Sequence, residues 1–195
     1  RYTLQAENES SKLFKILTIP NKLPSDVLKK KKLTIGFDPK LHTHKTLKIF
    51  FNKTNCKFLP INQNLIDKLW FKKKTKNPKN KFYVLPKNAI GKSCSLKIKE
   101  LVNTLNKKKI DVQFITASEN IAWLLNIRGQ DSNFTPLPNS YMTLSSDKKI
   151  NLFCDLKKVD TSFRKKLKNI KIIDIKNTDL FLYKIKEKKV MIDSS

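Results

Sequence analysis

The side chains able to do chemistry are few in this chain and poorly placed to cooperate. Two histidines, His42 and His44, flank Thr43. An extended His-x-His pair shares one face and supplies two metal ligands, but no carboxylate is interleaved with this pair to complete a set. The context reads as a turn or cap beside a helix start, and no metal site is assigned. Cys56, Cys94 and Cys154 lie far apart, without a CxxC spacing and without a neighbouring histidine. They suggest neither a disulfide framework nor a zinc site nor a Cys–His nucleophile, and read as reduced thiols of a cytoplasmic protein. No GxSxG occurs, and the 3 glycines of the whole chain exclude GxGxxG and P-loop patterns. No catalytic residue is therefore expected within these 195 residues.

One segment differs. Ile121-Ala122-Trp123-Leu124-Leu125-Asn126-Ile127-Arg128-Gly129-Gln130-Asp131 is an apolar helical stretch that runs into a polar end. A loop with Pro136 and Pro138 then leads to a Ser140-Tyr141 strand. Arg128 stands alone as an arginine in the middle of a lysine-dominated chain. Two roles fit it. It either pairs locally, with Asp131 or with the helix-end carbonyls, or it points a rigid guanidinium into a cleft. Trp123 and Leu124 are expected in the core.

The elements that would position this segment follow from hydrophobic period. Ile98, Leu101, Val102 and Leu105 obey the i, i+3, i+4, i+7 rule and predict a helix over 93–108. A strand at 112–116 follows. Thr116 as N-cap with Glu119 at N3 predicts a capping box, opening a helix that Gly129 ends. Strands at 140–144 and 150–154 form a hairpin, succeeded by a helix near 161–168, a strand at 171–175, a helix near 178–186 and a strand at 190–193. Upstream, a strand ends at Asp38-Pro39, a helix spans 44–55, a short strand covers 57–59 and a helical turn or two covers 64–70. Residues 71–81 have linker chemistry: Lys, Asn, Thr and Pro with almost nothing to bury. Arg1-Tyr2-Thr3-Leu4 reads like the middle of a strand, as in a chain whose start is missing. One adjacent strand pair is a hairpin, so the class is α/β with a mixed sheet flanked by helices.

The charge is extreme: 42 basic against 16 acidic residues, a formal +26. A nucleic-acid binder concentrates such charge, uses arginine for bidentate readout and interleaves aromatics. Here lysines are spread along the whole length and at element ends, which reads as compositional drift with at most nonspecific polyanion binding. No apolar run approaches the roughly 18 residues of a membrane span, and the N-terminus lacks a signal-peptide layout.

The 121–131 segment with its Pro loop and Ser-Tyr strand closely resembles the second domain of three-domain Xaa-Pro aminopeptidases, members of the creatinase/prolidase-like pita-bread metallopeptidases. Three further segments resemble the same family in the same order: Arg1-Tyr2-Thr3-Leu4-Gln5-Ala6, Ile35-Gly36-Phe37-Asp38-Pro39-Lys40-Leu41-His42, and Asn64-Leu65-Ile66-Asp67-Lys68-Leu69-Trp70. The resemblance implies creatinase N-terminal type domains. Residues 1–66 would be the C-terminal part of a first, 67–90 a linker and 91–195 a second. It implies a parent enzyme that removes the N-terminal residue preceding proline from peptides, with a dinuclear centre, usually manganese, in a catalytic domain absent from this chain. It further implies a homodimer, and a noncatalytic region that shapes active-site access, with Asn126, Arg128 and Asp131 as the candidate substrate-access residues on a loop near the cleft mouth and Arg128 first among them. Alternatives are a basic α/β nucleic-acid-binding module and a catalytically silent creatinase-like interaction domain.

Overall fold

A computed structural model describes residues 2–10, 12–70 and 80–193. The chain divides into two compact units, Arg1–Lys74 with Ser194–Ser195, and Thr75–Asp193.

The first unit is built on a parallel β-α-β crossover. Strand β1 (Thr34–Phe37) pairs with β2 (Lys57–Pro60), Thr34 opposite Lys57 and Phe37 opposite Pro60. Parallel strands need a long connection, and helix α3 (His44–Phe51) provides it. Thr43 caps α3 by accepting from the Thr46 amide, at 3.2 Å. Thus His42 and His44 simply bracket an N-cap. Phe51 packs on Phe58 with ring centroids 4.9 Å apart. Asp38 accepts from the Lys40 amide at 2.8 Å and from Asn64 Nδ2 at 2.9 Å, so the Asp38-Pro39 turn is tied to the residue just before α4 (Leu65–Trp70). The Asn64 bond, with the Lys40 amide, holds the Asp38 carboxyl below its usual value. Two further helices precede β1: α1 (Thr3–Glu9) and α2 (Pro24–Leu28). The strand expected at the start is therefore a helix. Its Leu-Gln-Ala-Glu composition favours helix, and Gln5 bonds Glu9 one turn on at 3.0 Å. Among the described residues 2–70 none is buried.

The second unit has its own core. A five-stranded sheet runs β8-β7-β6-β4-β9, with β4 at Val112–Ile115, β6 at Ser140–Ser145, β7 at Ile150–Cys154, β8 at Ile170–Asp174 and β9 at Val190–Met191. Pairs β4–β6 and β6–β7 are antiparallel, whereas β7–β8 and β4–β9 are parallel, so the sheet is mixed. One face, carrying Ile115, Met142, Leu144, Leu152 and Cys154, packs on Ile98, Val102 and Leu105 of α5 (Cys94–Lys107) and on Ile121, Leu124 and Leu125 of α6 (Ser118–Leu125). Phe163 of α7 (Thr161–Lys166) closes the same core. On the other face Phe153 meets Phe181 of α8 (Thr178–Lys184) edge to face, at 5.1 Å. A two-stranded ribbon joins β3 (Tyr83–Val84) to β5 (Ile127–Arg128) in antiparallel register. Phe82, next to β3, is 2% exposed and belongs to the core. Of the stretch read as linker, residues 71–79 lie outside those described.

Candidate functional site

The site grows from the C-terminal end of α6. Its N-cap is Ala117, without a side-chain cap bond, so the expected Thr116–Glu119 capping box does not form. The stop also differs. Asn126 takes the left-handed conformation, φ 55°, and ends the helix there, a role this short polar side chain tolerates. Gly129 is needed for another reason: a Cβ on it would sit 2.7 Å from the Pro138 Cα and 3.0 Å from the Phe82 ring. It lets the Pro loop return close against β5.

Asn126 is 8% exposed and works with both sides of its amide. Its Oδ1 accepts from Lys97 Nζ at 2.6 Å, and its Nδ2 donates to the Lys92 carbonyl at 3.1 Å. Lys97, only 3% exposed, also donates to the Trp123 carbonyl at the helix end. A cation there meets the negative end of the helix dipole. Burial lowers the Lys97 pKa from the usual lysine value, and the charges of Arg128 and Lys92 push the same way while Cys94 opposes them. Lys97 was not singled out in the sequence; among so many lysines only its place on the buried stripe, one residue before Ile98, set it apart.

Arg128 Nη1 donates to the Ala122 carbonyl at 3.2 Å and to the Ile127 carbonyl at 2.8 Å. Of the two local roles open to it, the carbonyl contact is the one made. Asp131 pairs instead with Lys158, and its Oδ2 accepts from the Asn139 amide at 2.5 Å. That clasp pins both ends of the Pro loop. Asp131 also lines a cleft of about 550 Å³ with Asn139, Asp155, Lys157, Lys158, Asp174 and Lys176, and neither Asn126 nor Arg128 is among its lining residues. The three expected residues thus form two groups, Asn126 with Lys97 and Arg128 at the helix end, and Asp131 at the loop base.

Trp123 is not core. It is 59% exposed, whereas Ile121, Ala122, Leu124 and Leu125 are buried. At about 100° per residue those four span one side of α6 and position 123 falls opposite. Lys97 Nζ lies 4.3 Å from the centre of its ring.

Among the described residues no group of three or more His, Cys, Asp or Glu is placed to hold a metal ion. Burial pushes the Cys154 thiol up to about 12 and raises that of Cys94, which suppresses the thiolate either would need as a nucleophile. No helix of the described residues is long and apolar enough to cross a membrane.

Residues 73–195 match the family model described as Creatinase/Prolidase N-terminal domain. A probable Xaa-Pro aminopeptidase P of Pyricularia oryzae is 34% identical over 143 residues, covering 71% of this chain and 23% of the relative. Xaa-Pro aminopeptidase 1 of Dictyostelium discoideum is 31% identical over 185 residues, covering 86% of this chain and 29% of the relative. The chain thus spans about a quarter of the length of the curated relatives it matches. The crystal structure of X-prolyl aminopeptidase from Caenorhabditis elegans, a cytosolic enzyme with a di-nuclear active site, superposes with a TM-score of 0.79 at 24% identity, over 100% of this chain and 38% of that one. This likeness establishes the fold. By a family match that takes in the whole mixed sheet and the α6–β5 segment, the chain belongs to the creatinase/prolidase N-terminal domain family.

Proposed function

We propose that these two units are the N-terminal, noncatalytic portion of an Xaa-Pro aminopeptidase, in which the α6–β5 end helps shape access of peptides to a metallopeptidase centre carried elsewhere in the protein. The observation that carries this reading is the family match over 73–195 together with relatives named Xaa-Pro aminopeptidase. The parent activity is hydrolysis of the bond between an N-terminal residue and proline. A divalent, dinuclear centre in the catalytic part is supported by the di-nuclear site of the C. elegans enzyme, and a cytosolic setting by that enzyme's description. Manganese as the metal and a homodimer complete the reading. So does a division into the end of a first creatinase-N-like domain, a linker and a second such domain. Burial of Phe82 and the β3–β5 pairing support starting that second domain near residue 80, ahead of the 91 expected from sequence.

Asn126, Arg128 and Asp131 are the access residues in this reading, Arg128 first. In the enzyme that contains this chain, Arg128→Ala is expected to lower kcat/KM for short Xaa-Pro peptides several-fold. Unchanged kinetics with a reduced Tm would confine Arg128 to holding the end of α6.

A further inference from the structure

The end of α6 gathers more positive charge than its carbonyls require. A helix C-terminus carries roughly half a negative charge, and here two full cations, Lys97 and Arg128, converge on it. Among the described residues the ion pairs are Lys92–Glu100, Lys149–Asp147 and Lys158–Asp131, so no carboxylate compensates either group. A bare surface lysine would mean little in a chain of +26. Lys97 is different because it is buried, and Arg128 because it is half-buried and held in place through Nη1, which leaves Nη2 and Nε for another acceptor.

Two exposed aromatic residues belong to the elements that hold Arg128. Tyr83 stands directly opposite it in the β3–β5 ladder. Opposite residues of an antiparallel pair share a face. The other pair, Ile127 and Val84, turns to the core, so Arg128 and Tyr83 share the outward face. Tyr83 is 44% exposed and Trp123, one residue past the Ala122 carbonyl that Arg128 holds, is 59% exposed. A guanidinium fixed through Nη1, opposite Tyr83 in the ladder and at the same helix end as a buried ammonium that lies 4.3 Å from the centre of the Trp123 ring, matches a carboxylate on an apolar or aromatic residue.

We propose that Arg128, with Lys97 at the same helix end and Tyr83 and Trp123 on the elements that hold it, is a receptor for the C-terminal carboxylate of a peptide. Naming that peptide as the tail of a substrate rests on the peptidase reading; recognition of the carboxylate does not. The guanidinium fork takes the two oxygens, and the rings receive the terminal side chain. Because the contact lies on this chain, it is measurable without hydrolysis, so its outcome is separate from that of the peptidase reading.

The probe is a proline-containing pentapeptide ending in phenylalanine, prepared as the free acid and as the C-terminal amide. Binding to the 195-residue chain is followed by calorimetry and by Trp123 fluorescence in a Trp70→Phe background, near physiological salt to screen diffuse lysine attraction. The free acid is expected to bind about tenfold more tightly than the amide, a difference in line with one charge-assisted hydrogen-bonded pair. Arg128→Gln should abolish the difference, Arg128→Lys should keep part of it because the charge remains without the fork, and Lys184→Gln should leave it intact. Equal affinity of acid and amide in the unsubstituted chain would overturn the proposal, whatever the variants do. So would a difference that survives Arg128→Gln. An amidated peptide with an internal glutamate that binds as tightly as the free acid would contradict recognition of a terminal carboxylate.

Discussion

Lys97 places an ammonium group where water scarcely reaches, and its two acceptors are a helix-end carbonyl and an amide oxygen, both neutral. The groups facing it are Cys94, Arg128 and Lys92, none of which is a carboxylate. Lys97→Met would leave those buried acceptors unmatched, a cost of about 1–3 kcal/mol, and a drop of several degrees in Tm is expected. The pH dependence has a definite sign. Burial, the largest cause, lowers the folded pKa from the usual 10.5. Between the folded value and 10.5 the unfolded chain therefore binds more protons, and the contribution of Lys97 to stability rises with pH across that window. A neutral amine still has two N–H donors for its two acceptors. The Tm advantage of the unsubstituted chain over Lys97→Met, measured from pH 8 to pH 10, should hold or grow. An advantage that shrinks over that range would show that the charged form is what the helix end requires.

At the scale of elements, strong period was readable and local exceptions were not. The stripe Ile98, Leu101, Val102 and Leu105 predicted α5, and α5 spans Cys94–Lys107 with Ser93 as its N-cap. The hairpin of β6 and β7 and the mixed sheet also follow their sequence pattern. The ends of α6 escaped the rules because backbone geometry decided them. Ala117 occupies the N-cap although Thr116 has the better side chain, and Asn126 takes the left-handed stop that Gly129 was expected to supply. Gly129 is instead required by the approach of Pro138, a long-range contact that no local window contains. Residue type alone puts Trp123 in the core, but its helical angle, opposite four buried neighbours, places it outward. In the candidate site, Asn126, Arg128 and Asp131 were each visible as unusual residues. Their partners Lys97 and Lys158, 29 and 27 positions away, were hidden among the other lysines.

On the scale of the whole molecule the two units differ in what holds them. The second has a continuous core from Phe82 to Leu167 that joins α5, α6, α7 and the sheet. In the described residues 2–70 of the first, no residue is fully buried, so little apolar area is removed from water to offset chain entropy. Residues 80–193 expressed alone are expected to unfold in one cooperative thermal transition, and residues 1–70 alone to show none. A cooperative transition in the shorter piece would contradict the packing described for it. The measurement that bears most directly on the functional account is release of the N-terminal residue from an Xaa-Pro peptide, in the presence of a divalent metal. It compares the purified 195-residue chain with the longer protein that contains it. Metal-dependent turnover by the longer protein and none by the chain alone is the expected result. Turnover by the 195 residues themselves, or a longer protein that folds and binds metal yet leaves the bond intact, would contradict it.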